Sequence, residues 1–363
     1  MKRTSLASGL VTVVFGVLML CRVSHAEIDL PDALPGLPAT AELDAVVAAD
    51  VAAKGYHVAQ VEGRVHYVTD GNYQAMIVLH DRGAILLDAP EPLPFLPPLP
   101  VVDAVAELTD LPITHLIYSH AHTDHIGGAF AVVEAFPEVE IIAQLETTRL
   151  LARAKDPRRP VPTQSFRFQK RLRVGGSRLD LEYRGNTHVD GNLFAFAPRE
   201  KVLAVVDVIY PGWVPFRRLG LSDDIPGWIA AHDEILSFPF ETLIAGHLTR
   251  LGTREDVRIQ KEYVQDIVDT IENGILDASV LSDAVGAIDA AFGSGTAFQT
   301  VSKWVLFSAF FDASISRCAE VLDAKYLEGP ASGDNPRALG GAETFNFSNC
   351  DAYFVARRLG VEQ

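Results

Sequence analysis

The stretch Ser119-His120-Ala121-His122-Thr123-Asp124-His125-Ile126-Gly127-Gly128 places three imidazoles and a carboxylate within six positions. Imidazole combined with carboxylate is the donor set of a borderline divalent cation such as zinc. Residues two apart in extended chain point to one side, so His120 and His122 can share a cation. Asp124 and His125 then fall in the following turn, where the chain can aim them at a second point nearby. His makes up 11 of 363 residues, so three His and one Asp at these fixed places arise by accident in roughly one chain in two thousand. Polar residues merely satisfied at a strand end would not need four ligand types so close together.

Two cations need further donors, and three more stand at the ends of apolar runs. His188 follows the strand expected at 178–183, Asp207 follows Val202 to Val206, and His247 follows Thr242 to Ala245. Loops at strand ends are where α/β folds carry function. Taken singly, each of the three would more often be structural. Their succession after the first cluster, H-x-H-x-D-H then H, D, H, is what marks them. His57, His66, His80, His115 and His232 lack such companions and read as structural. Asp88, closing Leu86-Leu87-Asp88, is placed to orient a ligand without being one.

The elements that must hold these groups are hairpins followed by alternating strands and helices. Asp70-Gly71-Asn72 joins strands at Val65–Thr69 and Ala75–His80, and Ala84–Asp88 forms another. Residues 90–100 hold six prolines and read as a stiff connector. Val101–Leu108, Gly127–Ala135, 145–154 and 225–237 read as helices. Ile113–Tyr118, Glu140–Ala143, 178–183, 193–197, 202–206 and Thr242–Ala245 read as strands. The mixture predicts two mixed sheets with helices outside, a four-layer αβ/βα sandwich. From about residue 254 strand signals stop, and helices are expected at 254–275, 280–291 and 297–326. Trp304, Phe307, Phe311 and Ile315 share a face of the last, which favours packing on the main domain over a roof for the site or a homodimer contact. Residues 328–349, rich in Gly, Pro, Asn and Ser, read as loop.

Four segments follow: 1–26, 27–55 as a lead-in, 56–253 as the main domain and 254–363 as a helical extension. Lys2 and Arg3, the apolar run Leu10–Leu20 and Ser24-His25-Ala26 form an export signal cut after Ala26. The run is short for a membrane span, and Leu20 before Cys21 argues against a lipid anchor. The expected location is therefore periplasmic or secreted. There Cys318 and Cys350 can pair or stay as two buried thiols. Lys plus Arg total 31 against 47 Asp plus Glu, a net charge of −16. That balance disfavours nucleic acid and leaves a small molecule as substrate.

In the quoted motif and the three later ligands, residues 60–250 resemble the metallo-β-lactamase superfamily. The resemblance implies two Zn2+: one at His120, His122 and His188, the other at Asp124, His125 and His247. Asp207 would bridge them together with a hydroxide that attacks a carbonyl carbon. Members with β-lactamase activity and two zincs usually carry Cys or Ser at the Asp207 position, and flavo-diiron members replace the second His by Glu. Asp207 and His122 therefore point to the lactonase and glyoxalase-II-like ligand set. Asp124 would pass the proton to the leaving group. Tyr210, three after Asp207, resembles a lactonase tyrosine that donates to the carbonyl oxygen, or is simply structural beside Pro211-Gly212-Trp213. Hydrolysis of a carboxylic ester or lactone is the favoured activity. A β-lactamase, a thioesterase and a non-catalytic zinc-binding accessory protein are the alternatives. No Gly-x-Ser-x-Gly elbow is present.

Overall fold

Along Gln74–His80 nearly every side chain is buried, as a strand covered on both faces requires. Ala75 and Ile77 enter one core cluster, and Met76 and Val78 another. That period-2 division explains the architecture. The computed structural model describes residues 45–91, 97–248, 250–274, 278–295, 303–327, 335 and 337–358. The expected leader, 1–26, lies outside them, as does most of the lead-in.

After α1 (Ala45–Lys54), the first sheet begins as an antiparallel meander: β1 (His57–Glu62), β2 (Val65–Thr69), β3 (Gln74–His80) and β4 (Gly83–Leu87). It continues in parallel through β5 (Ile113–Ile117), β6 (Glu140–Gln144) and β7 (Gln164–Phe166). The crossovers carry α2 (Val101–Leu108), α3 (Thr123–Ile126), α4 (Ala129–Ala135) and α5 (Leu145–Ala154). The second sheet runs β12-β11-β10-β9-β8, built from β8 (Gln169–Val174), β9 (Ser177–Glu182), β10 (Phe194–Ala197), β11 (Val202–Val205) and β12 (Thr242–Ile244). Its pairs are antiparallel except β11 with β12. Between β11 and β12 lie α6 (Arg217–Leu221) and α7 (Ile225–Ser237). Then follow α8 (Arg254–Gly274), α9 (Ala278–Phe292), α10 (Lys303–Tyr326) and α11 (Ala342–Arg358).

Three apolar clusters separate four layers. Ile77, Leu86 and Leu116 pack under Val101, Val105 and Val132 of the first helical layer. Val78, Ile85 and Ile117 meet Leu179, Val202 and Ala204 between the sheets. Leu203, Val205 and Leu243, on the outer face of the second sheet, pack against Trp228, Tyr263, Ile267, Leu322 and Phe354. The chain thus has the four-layer fold expected of it, with a C-terminal helical region. Of those helices α8, α10 and α11 share the outer core of the second sheet, and 37–363 forms one compact unit.

Several elements differ from expectation. The helix expected at Gly127–Ala135 begins two residues later, as α4 at Ala129, and the short α3 before it lies within the His-rich turn. Strands β1, β7 and β8 are additional. The expected loop 328–349 contains the first half of α11. In the aromatic stripe of α10, Ile315 is buried, but Trp304 is 80% and Phe307 51% exposed, because only the later turns of this helix reach the outer core. Cys318 and Cys350 form a disulfide with their Cα atoms 6.0 Å apart. Among the described residues no helix is long and apolar enough to cross a membrane.

Candidate metal centre

Each proposed ligand sits where a buried strand gives way to a loop. β5 ends at Ile117, and Asp88 Oδ1 accepts the Ser119 amide at 2.8 Å, fixing the start of the His-rich turn. Asp88 thus orients the ligands through the backbone. Ser119 Oγ lies 2.9 Å from His120 Nδ1, leaving His120 Nε2 for the centre. The His188 carbonyl accepts from the Ser222 hydroxyl at 2.9 Å and the Asp223 amide at 2.8 Å. Buried Gln74 joins the sheets at the His247 loop, donating its backbone N–H to Gly246 O at 2.8 Å and accepting the Ala245 N–H through side-chain Oε1 at 3.2 Å.

Asp207, at φ 63°, is the centrepiece. Left-handed backbone is unfavourable for a non-glycine residue and concentrates at functional sites. Trp228 Nε1 donates to its carbonyl at 3.2 Å, and Gln260 Nε2 donates to Val208 O at 2.6 Å while Gln260 Oε1 accepts the Tyr210 amide at 2.8 Å. The turn is therefore clamped from α7 and α8. The two carboxylate oxygens divide the histidines. Oδ2 lies 3.3 Å from His120 Nε2, 3.3 Å from His188 Nε2 and 4.0 Å from His122 Nδ1. Oδ1 lies 3.1 Å from His125 Nε2 and 2.9 Å from His247 Nε2, and Asp124 Oδ2 lies 3.5 Å from His125 Nε2.

All seven ligands anticipated from the sequence therefore converge as two groups: His120, His122, His188 and Asp207, and Asp124, His125 and His247. The donor set fits divalent cations on two counts. Tetrahedral bonds of roughly 2.0–2.1 Å put neighbouring donors about 3.3 Å apart, the spacing found. Moreover, His120 Nε2 and Asp207 Oδ1 are buried yet hydrogen-bonded to nothing, although each has a polar neighbour in reach, Asp207 Oδ2 for the first and His247 Nε2 for the second. Their lone pairs converge on shared space instead of on one another.

The field agrees. Burial drives the pKa of His120 well below the ordinary histidine value, and burial also lowers that of His122, helped by neighbouring His188. Both rings are thus held neutral, as a ligand must be. His125 behaves differently. Burial opposes its charge, but Asp207 and Asp124 overcome this and raise its pKa to about 10. The second group has negative field to spare, suited to a cation.

His122 and Asp207 of the first group and Asp124 and His247 of the second line a cavity of about 570 Å³. Tyr210 lines it, with its ring stacked 6.1 Å from that of His247. Tyr73 lines it too, its hydroxyl 3.4 Å from Asp124 Oδ2 and its ring 4.6 Å from that of His247. Nothing in the sequence singles out Tyr73, because a lone tyrosine after Asp70-Gly71-Asn72 has no spacing to mark it. Burial raises the pKa of both hydroxyls, with the carboxylates of Asp124 and Asp207 adding to the effect. Trp213, Val214, Phe216, Leu221 and Phe345 add an apolar wall, and among the described residues no Lys or Arg lines the cavity.

Residues 68–247, which run to the last ligand, match the family model of the metallo-β-lactamase superfamily. The chain is 26% identical over 247 residues to the 2,4-dinitroanisole O-demethylase subunit alpha of Nocardioides sp. (strain JS1661), covering 65% of this chain and 73% of that one. Among solved structures it is similar to a metallo-β-lactamase from Pontibacter korlensis, at TM-score 0.47 and 19% identity, covering 57% of this chain and 97% of that one. It is also similar to metallo-β-lactamase IND-7, at TM-score 0.47 and 16% identity, with coverages of 58% and 99%.

Proposed function

Since residues 68–247 form a metallo-β-lactamase superfamily domain, we propose that the chain is an exported hydrolase, loaded with two Zn2+, that cleaves a neutral, apolar carboxylic ester or lactone. The observation that carries this reading is the division of Asp207: one oxygen faces each ligand group, beneath an aromatic wall that holds no Lys or Arg among the described residues. His120, His122 and His188 would hold one ion, Asp124, His125 and His247 the other, with Asp207 shared. Bound there, the pair supplies Lewis acidity and brings the pKa of a water towards neutrality.

The protein's own groups do the rest. Asp124, 34% exposed along its side chain, turns a carboxylate oxygen towards the cavity. It accepts the proton of the attacking water and returns it to the leaving oxygen. Tyr73 and Tyr210, their pKa values raised, stay protonated over the working range and donate to the carbonyl oxygen as charge develops on it. The apolar wall binds the acyl or ring portion and excludes water from it. A β-lactam carries a carboxylate that finds no Lys or Arg among the lining residues. Export is supported by the Cys318–Cys350 bond, which suits an oxidising compartment.

A second reading is hydrolysis of an electron-poor aryl ether. It is favoured by the aromatic wall and by the name of the demethylase relative. One panel on purified, metal-analysed protein separates the readings: p-nitrophenyl esters of increasing acyl length, an acyl lactone, a chromogenic β-lactam and 2,4-dinitroanisole. Ester or lactone turnover that rises with chain length is the expected result. Turnover confined to the ether or the β-lactam moves the assignment there. A silent panel with metal bound replaces it with a binding protein.

A further inference from the structure

Leu219 sits in the least comfortable part of the chain. Arg218, Leu219, Gly220 and Leu221 all have positive φ, of 57°, 54°, 74° and 58°. Four successive left-handed residues, three of them not glycine, persist only if surrounding structure imposes them. Here they bring the chain down over the metal centre. A Cβ built on Gly220 would lie 2.7 Å from the Tyr210 hydroxyl and 3.1 Å from Asp207 O, so only glycine permits this approach.

What holds the segment is α11. Asn349, fully buried, accepts the Leu219 amide at 2.8 Å through Oδ1 and donates through Nδ2 to Pro215 O at 2.9 Å and Tyr263 Oη at 3.1 Å. Ser348 Oγ accepts the Arg218 amide at 3.3 Å, and Asp351 pairs with the Arg218 guanidinium. One turn earlier on α11, Phe345 lines the cavity, 5.2 Å from the Phe216 ring. Cys350, next to Asn349, ties this helix to Cys318 of α10.

We propose that Asn349 is a positioning residue that clamps the left-handed segment over the metal centre, and that Phe345 on the same face of α11 sets the size of acyl group the cavity accepts. The disulfide fixes the jaw from behind. The substrate part of this inference rests on the esterase reading; the clamp does not.

The test therefore has an arm that needs no turnover. Hydrogen exchange by mass spectrometry is followed on the metal-loaded full chain, comparing wild type with Asn349→Leu, Asn349→Asp and a Cys318→Ala/Cys350→Ala pair. Amides in the peptide 213–224 should exchange at least tenfold faster in Asn349→Leu and by a smaller factor in Asn349→Asp, which keeps the acceptor for Leu219. The cysteine pair should show the same local loosening, with peptides of β5 and the His-rich turn unchanged. If Asn349→Leu does not fold, the Asn349→Asp comparison decides. In the kinetic arm, KM for a long-chain p-nitrophenyl ester should rise at least fivefold in Asn349→Asp while kcat on p-nitrophenyl acetate holds, and Phe345→Ala should shift preference to bulkier acyl groups. Unchanged exchange in 213–224, or faster exchange spread evenly over the sheets, overturns the clamp. An unaltered chain-length preference in Phe345→Ala overturns the role of that side chain. A silent substrate panel alongside local loosening defeats the esterase reading and leaves the clamp standing.

Discussion

Asp207 joins two requirements in one residue, an unfavourable backbone and a carboxylate whose two oxygens face different ligand groups. Asp207→Asn keeps the shape and removes the charge. Elemental analysis should then find fewer than two metals per chain, and activity should fall more than roughly 100-fold, beyond the loss of an outer hydrogen-bond partner. Tyr73→Phe should slow turnover by about tenfold, within the range for one positioned donor, with metal content intact. The pH dependence follows from His125. Its folded-state pKa, about 10, lies above the ordinary 6.5. In chelator-stripped protein, protonated His125 therefore favours folding fully below pH 6.5, and this contribution is lost as pH rises towards 10. Asp207 works oppositely: burial opposes its charge, His125 and His247 outweigh it, and the stability it contributes above its ordinary 3.8 is lost in acid. Stripped protein should thus melt at a lower temperature at pH 10 than at pH 6.5, while metal affinity rises across that window because the cation displaces a proton. Scanning calorimetry and competition with a chromogenic chelator check the two halves. At this scale the sequence was most legible, because His120, His122, Asp124 and His125 announce themselves by spacing. Tyr73 and Asn349 act through tertiary position alone.

Elements were legible where apolar periodicity was strong and obscure where partners supplied the stability. β3, β5 and β11 could be read from runs such as Ile113–Ile117. β8, Gln-Lys-Arg-Leu-Arg-Val, exposes charged residues at alternate positions along the sheet edge, which resembles a loop in composition and protects an edge in fact. The first half of α11 is rich in Asn, Ser and Thr, poor helix formers; it folds because Asn346 and Asn349 satisfy Asp323, Tyr263 and Pro215. The connections are equally exacting. Gly246, between β12 and His247, has φ 87°, and a Cβ there would lie 2.6 Å from the Val206 side chain. Gly246→Ala should cost about 1–3 kcal/mol in stability. It should also displace His247, so that the weaker-bound metal is lost on dialysis while the other is retained, a split that native mass spectrometry resolves.

Over the whole molecule, the disulfide closes a loop of 32 residues between α10 and α11. Cys318→Ala with Cys350→Ala should lower stability by about 3–4 kcal/mol in the chain-entropy view, read as a shift in denaturation midpoint. Cysteine count alone could not choose between a bond and two thiols, since pairing depends on separation in space. Nor did one amphipathic stripe reveal that Trp304 and Phe307 face outward, because a helix can serve a core with only some of its turns. The cavity wall bears on the solvent as well. Among the described residues its lining has no Lys or Arg, and the chain as a whole carries −16. A ligand gripped there by apolar contact gains nothing from charge steering, so sodium chloride should leave its KM almost unmoved. Sodium sulfate, which drives oily surfaces out of water, should lower it.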